Sequence, residues 1–294
     1  MFGSLDTAVA SVLGCSQQIE IIASVSGGDI NRAYRLTTTD GTRLFMKSNR
    51  KEALPFFIAE IEGLNAIAHT ETIRTPSVLC VGTDDQYGAF LLLEWIEAAP
   101  RKQHYWNCFG HSLAAMHLAG TSDIIQNTAF GFPHDNYIGA GKQINSSRES
   151  WIDFYRDCRL RPMLERADVY LDTSDRKRAD RLMNHLEEYL IEPERPSLLH
   201  GDLWSGNFIT GSDGEAWLID PAAYVGHAEA DLAMTELFGG FSSAFYDAYR
   251  EIYPIQPGYE SRRDLYNLYH LLNHLNLFGA MYLDSVRGVL RRYS

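Results

Sequence analysis

The stretch HGDLWSGN (200–207), followed eight residues later by AWLIDP (216–221), decides how this chain is read. An acid, Asp202, stands five positions before an amide, Asn207, inside a short glycine-bearing turn. Phosphoryl transfer uses that pairing: a carboxylate accepts a hydrogen bond from the acceptor hydroxyl and orients it, while an amide reaches a magnesium ion on the nucleotide phosphates. A second acidic ligand is then needed nearby. AWLIDP supplies it, as a short apolar strand that delivers Asp220 at its end, thirteen residues after Asn207. HGD alone also fits a plain turn in which Asp202 caps backbone amides and Gly201 supplies an unusual dihedral. Asn207 and Asp220 meet separate requirements of one mechanism and favour the catalytic reading.

Working upstream, residues 4–14 carry alanine, valine and leucine at helical spacing, and 19–49 read as three strands with turns. The first turn holds Gly27 and Gly28, a candidate phosphate-side loop. The second holds Asp40-Gly41, a hairpin signal. Arg43 to Lys47 then alternates toward a lysine at a strand end, placed to meet a phosphate, although a lone lysine is also an ordinary surface residue. From Pro55 to Ala68 the residues Phe56, Phe57, Ile61, Leu64 and Ile67 recur at helical spacing, and Glu60 on that helix can face Lys47, with Glu62 as the competing partner. SVLCVGTD (77–84) and AFLLLEWI (89–96) read as two more strands, the second continuously apolar, before the composition shifts through 97–104.

Downstream the pattern is mainly helical, with helices expected near 105–119, 149–167, 175–190, 229–237, 241–252 and one long helix over 262–292. This predicts an α+β, two-lobed protein: a sheet-rich lobe over 1–96 and a helical lobe over 97–294. Its 294 residues and 45% hydrophobic content support a substantial core. A net charge of −12 argues against broad nucleic-acid or anionic-membrane binding. Cys15, Cys80, Cys108 and Cys158 form no CxxC pair, so neither a zinc site nor a disulfide framework is suggested. Without a basic-then-apolar leader or a run of about 18 apolar residues, the expected location is the cytoplasm. A monomer or weak dimer is expected.

A glycine turn, Lys47 on the next strand, Glu60 on the following helix, then Asp202, Asn207 and Asp220 occur in the order of a protein-kinase-like fold. In such folds the lysine neutralises nucleotide phosphates, the glutamate holds it, and the linker after the second apolar strand, here Glu94, Trp95 and Ile96, receives adenine. Read together, SGGDINRAYRL, HGDLWSGN, IDPAAYVGHAEADLAMTELFGGF and LYNLYHLLNHLNLFG resemble the fructosamine or ketosamine 3-kinases, over about residues 20–290. The glycine segment SGGDIN is not the GxGxxG of protein kinases, and IDP stands in place of their DFG.

The resemblance implies ATP and Mg²⁺ as cofactors and phosphorylation of the sugar 3-hydroxyl of ketoamines, free or on glycated lysine, as a deglycation repair step. It makes Asp202 the base, Asn207 and Asp220 metal ligands, Lys47 the phosphate contact and Glu60 its partner. It also implies that Asp231, with His200, supports the catalytic loop, where a helix-capping or surface role is the alternative for Asp231. Trp204 offers a flat surface for a sugar or its amine, or else packs on the lower lobe. Asp135, Asn136 and Tyr137 are substrate candidates, with a structural turn as the alternative. His270 and His274 stand at i and i+4, but without an HExxH glutamate they read as core or helix-surface histidines, and Tyr266, Tyr269 and Phe278 as packing. Two other functions fit the same machinery: another small-molecule kinase, acting on an aminoglycoside, choline or homoserine, and a non-catalytic nucleotide-binding regulator.

Overall fold

A computed structural model describes residues 1–14, 17–25, 31–125 and 129–294. Gly27 and Gly28 lie outside the described residues. The first lobe is built on β1 (Ile19–Ser24), β2 (Arg32–Thr38), β3 (Arg43–Asn49), β4 (Val78–Asp84) and β5 (Gly88–Glu94), with α1 (Leu5–Leu13) before them and α2 (Leu54–His69) between β3 and β4. All neighbours pair antiparallel, in the order β1-β2-β3-β5-β4. Alternation in β2 and β3 sends Leu36, Leu44 and Met46 to one face, where they join Phe90 and Leu92 of β5 and Leu5, Ala8 and Val9 of α1. Ala89, Leu91 and Leu93 point the other way, onto Phe57 and Leu64 of α2. Both faces of β5 are therefore covered, which is why its apolar run is unbroken. Asp40 fixes the β2–β3 turn by accepting from Thr38 Oγ1 (2.6 Å) and Thr42 N (3.0 Å). The strand expected to reach residue 96 ends at Glu94, leaving Trp95 and Ile96 in the linker to α3 (Tyr105–Leu118).

Beyond α3 come the hairpin β6 (Asn136–Ile138) and β7 (Gly141–Gln143), then α4 (Trp151–Phe154), α5 (Arg161–Ala167) and α6 (Thr173–Asn184). Four short strands follow: β8 (Ser197–Leu199), β9 (Phe208–Thr210), β10 (Ala216–Leu218) and β11 (Tyr224–Gly226). The chain closes with α7 (Ala228–Leu237), α8 (Ser243–Ile252), α9 (Tyr259–Phe278) and α10 (Leu283–Arg292). β9 pairs with β10 and β8 with β11, both antiparallel. One large core joins these elements, and Ile67 and Ile73 of the first lobe enter it, so the lobes share packing behind the cleft.

Three helix expectations are corrected. The helix expected over 149–167 carries a π-helical segment, Tyr155–Leu160, between α4 and α5. Pro162 explains it, because a proline inside a helical run has no N–H to give the preceding turn and its ring crowds the carbonyl there. The helix expected over 175–190 is α6 plus a short 3-10 turn, Leu186–Glu188. Its start moves to Thr173, where Asp172 and Asp175 form a capping box. The long terminal helix is two helices: Gly279 takes φ 86°, a left-handed conformation costly for residues with a side chain, and a 3-10 turn, Ala280–Tyr282, separates α9 from α10.

Candidate active site

The catalytic turn hangs between β8 and β9 and is held from behind. Gly201 has φ 81°, and a Cβ there would lie 2.1 Å from the Ala222 carbonyl oxygen, so no side chain fits. The buried Asp231 of α7 accepts from His200 N (2.6 Å) and Gly201 N (2.8 Å), and its Oδ2 lies 3.3 Å from His117 Nε2. Burial opposes ionisation of Asp231, but the His117 contact, the nearby His200 and the Gly201 N–H outweigh it and bring its pKa below the usual value. His200 receives Asp202 N at Nδ1 (3.3 Å) and lies 2.9 Å from the Ile219 carbonyl through Nε2. A donor on one side and an acceptor on the other assign the neutral Nε2–H tautomer, in keeping with the downward push of burial on its pKa. His200 thus ties the turn to the segment that carries Asp220.

Asp202 keeps 21% of its side-chain surface open, enough for a hydroxyl to reach it from the cleft. Burial pushes its pKa up to about 7, with Asp220 and Asp231 adding to the effect and the Asn207 hydrogen bond opposing it. Asn207 donates through Nδ2 to the Asp202 carbonyl (2.8 Å) and to Asp202 Oδ2 (3.1 Å). Both amide hydrogens are therefore spent on the turn, and Oδ1 is left as the end suited to a hard cation. Asp220 has φ 56°, unusual for a residue with a side chain.

Lys47 of β3 meets two carboxylates. Its ammonium lies 2.6 Å from Glu60 Oε1 of α2 and contacts Asp220 Oδ1. Burial works against the charged amine, yet Asp220 and Glu60 overcome it and raise its pKa. Burial likewise raises Glu60 against the pull of Lys47, with Asp220 reinforcing the rise. Glu62, the competing partner, instead pairs with His134 at 3.0 Å. Lys47, Glu60, Asp202, Asn207 and Asp220 line one cleft of about 1010 Å³. A hard-oxygen donor pair, Asn207 and Asp220, beside a lysine fits a divalent cation carrying phosphates.

At the linker, Glu94 turns its carboxylate onto Ser77 N (3.1 Å) and Oγ (2.8 Å). Trp95 lies 6.4 Å from the Phe45 ring, under the Arg35 guanidinium, and donates to Glu97 (3.2 Å). Glu94, Trp95 and Ile96 border the cleft with Ala33, Phe45, Leu93, Ile209 and Ile219, which form an apolar end.

The loop candidates separate. Tyr137 lines the cleft against Phe56, with ring centroids 3.9 Å apart. Asn136 also borders it, and its amide is engaged internally: Nδ2 donates to the Ala223 carbonyl (2.7 Å), and Oδ1 accepts from Gln143 (2.7 Å) and Asn145 (2.9 Å). Asp135 accepts from Asn145 N (2.8 Å) and pairs with Lys142 (2.9 Å). Both polar groups thus bind within and behind the β6–β7 hairpin, as the structural-turn alternative has it, while Asn136 still borders the cleft.

Helix α9 contributes more than packing. Tyr266 and Tyr269 are buried, but Phe278 is 50% exposed, and with His274 it lines the cleft, correcting the packing role expected of it. The buried His270 points Nδ1 toward Asp202 Oδ1 at 3.9 Å, and burial drives its pKa down to about 3. Among the described residues no hydrogen-bond partner satisfies that nitrogen. The signal for this helix was present in YHLLNHLN, where polar residues recur within an otherwise apolar run.

Known proteins share this chain's sequence and shape. The family model described as fructosamine kinase matches residues 1–294. A protein of Synechocystis described as a probable ketoamine kinase is 41% identical, the alignment covering 97% of this chain and 94% of that protein. The chloroplastic protein-ribulosamine 3-kinase of Arabidopsis thaliana is 40% identical over 95% of this chain and 84% of its own length. A crystal structure from Thermobifida fusca, described provisionally as a fructosamine-3-kinase, superposes with a TM-score of 0.84 at 34% identity, covering 100% of this chain and 99% of that one.

Proposed function

The chain belongs to the fructosamine kinase family, and on that premise we propose that it transfers the γ-phosphoryl group of ATP to the sugar 3-hydroxyl of ketosamines, free or carried on glycated lysine. It is a phosphotransferase of kinase-like fold. The observation that carries the proposal is the convergence of Asp202, Asn207, Asp220, Lys47 and Glu60 in one cleft of a chain matched by the family model from end to end.

Asp202 accepts a hydrogen bond from the 3-hydroxyl and aims its oxygen, and it takes up the proton as the new bond forms. Asn207 fixes the carboxylate rotamer through the bond to Oδ2. Lys47, held by Glu60, turns its charge toward the nucleotide phosphates. Asn207 Oδ1 and Asp220 hold Mg²⁺, which when bound offsets the phosphate charge. The apolar end beside Glu94, Trp95 and Ile96 takes the adenine ring, and residues 1–96 and 97–294 act as the two lobes that close on the nucleotide.

A mixed panel of fructosamines, ribulosamines, aminoglycosides, choline and homoserine, incubated with ATP and Mg²⁺ and read by mass spectrometry, tests this. Phosphorylated ketosamine is expected. Phosphorylation of another alcohol alone would reject the ketosamine acceptor, and nucleotide binding without any product would favour a regulator. Asp202→Asn is expected to abolish turnover while leaving the thermal transition in place, and near-normal turnover would remove Asp202 from its role.

A further inference from the structure

Of the ten large hydrophobic side chains exposed among the described residues, four gather at one end of the cleft: Trp204 (38%), Phe238 (42%), Phe278 (50%) and Met281 (77%). Solvent-exposed rings scattered singly mean little, but a contiguous group at the rim of a catalytic cleft marks a binding surface. The rings run in a chain. Trp204 meets Phe238 at 6.4 Å, Phe238 meets His274 at 5.0 Å, and His274 meets Phe278 at 5.4 Å and Tyr282 at 5.0 Å. This chain begins two residues from Asp202 and lines the same cleft.

We propose that the rings of Trp204, Phe238, His274, Phe278 and Tyr282 receive the positively charged amine nitrogen of the acceptor and the first carbons of its substituent. This rests on the ketosamine acceptor proposed above. In such a compound only the carbonyl carbon and one methylene lie between the carbon bearing the reactive hydroxyl and the nitrogen. An acceptor whose hydroxyl sits on Asp202 therefore carries its nitrogen into the immediate neighbourhood, where Trp204 stands.

Charge favours the same occupant. Among the described residues lining the cleft, the only lysine or arginine is Lys47, engaged by Glu60 and Asp220 at the nucleotide end. Burial lowers the pKa of His274, so its ring stays neutral and does not repel a cation. Secondary alkyl amines are protonated at neutral pH, and aromatic faces attract such cations. An acceptor bearing a carboxylate or phosphate at that position gains nothing from these rings. Because Phe278 and Met281 reach solvent, the substituent beyond the nitrogen leaves the protein freely, and a lysine side chain on a peptide fits as well as a short amine.

The test compares a fructosyl alkylamine with the matched alkyl ether, in which a neutral oxygen replaces the nitrogen. The full-length protein is expected to prefer the amine by about tenfold in kcat/KM, expressed through KM, as for a partly desolvated cation–π contact. In Trp204→Leu and Phe278→Leu that ratio is expected to fall toward unity, whereas Phe278→Tyr, which keeps a ring, preserves it. KM for ATP and the thermal transition report that the variants remain folded. An unchanged ratio in both leucine variants, or equal use of amine and ether by the parent protein, overturns the proposal. If neither compound is phosphorylated, the ketosamine acceptor itself is wrong and the amine site falls with it.

Discussion

Asp231 receives two successive backbone N–H groups of the catalytic turn on its two oxygens, and this makes it irreplaceable by its own amide. In Asp231→Asn one of those N–H donors must face the new NH₂, donor against donor, in a buried site. Loss of one charge-assisted bond and exposure of an unsatisfied donor cost about 1–3 kcal/mol. The turn then relaxes and Asp202 loses its aim, so kcat is expected to fall by about 10- to 100-fold with KM for ATP little changed. Steady-state kinetics beside a thermal melt check both effects. An unaltered kcat would separate the brace from the chemistry. Gly201 belongs to the same arrangement, since its left-handed φ lets the turn pass against the Ala222 carbonyl.

Among the elements, the break at Gly279 has the most direct bearing on the acceptor end. It ends α9 and lets the next turn bring Tyr282 against His274 and Phe278. Gly279→Ala forces a side chain into φ 86°, ψ −166°, a region essentially reserved for glycine, at a cost of about 1–3 kcal/mol. The expected result is a lower Tm and a KM for the acceptor raised several-fold while KM for ATP holds. An acceptor KM that stays put would show that the break serves folding alone. The glycine was visible in the sequence, yet apolar spacing continues across it through Leu283 and Val286, and the periodicity hid the stop. The catalytic turn and AWLIDP were legible because their geometry is local. Lys47 and Glu60 were legible because strand and helix periods aim them at each other. The partners of the Asn136 amide, Gln143, Asn145 and Ala223, were not, because they meet it only in the folded chain.

Across the whole molecule, buried histidines set an acid limit on stability. His227 and His270 have their pKa values pushed to about 3, chiefly by burial, with Arg262 adding to the effect at His227 and His274 at His270. The unfolded value is 6.5, so the unfolded chain takes up protons that the fold refuses. The stability that these two histidines contribute is therefore complete above pH 6.5 and is lost progressively toward pH 3, at up to about 1.4 kcal/mol per pH unit for each. His227 caps α7 by accepting from Glu229 N at Nδ1 (3.2 Å); in His227→Asn, which keeps an acceptor there, Tm is expected to decline less steeply between pH 7 and pH 5 than in the parent. Matching slopes would acquit His227. The two ends of the cleft also differ in origin: Lys47 and Glu60 come from the first lobe and Asn207 and Asp220 from the second, whereas the aromatic rim is drawn entirely from residues 204–282. The rim thus shares no side chain with the phosphate machinery, although Trp204 stands in the same turn as Asp202 and Asn207. Drift or deliberate redesign of the rim can retune which alcohol is taken while the phosphate machinery is passed on intact.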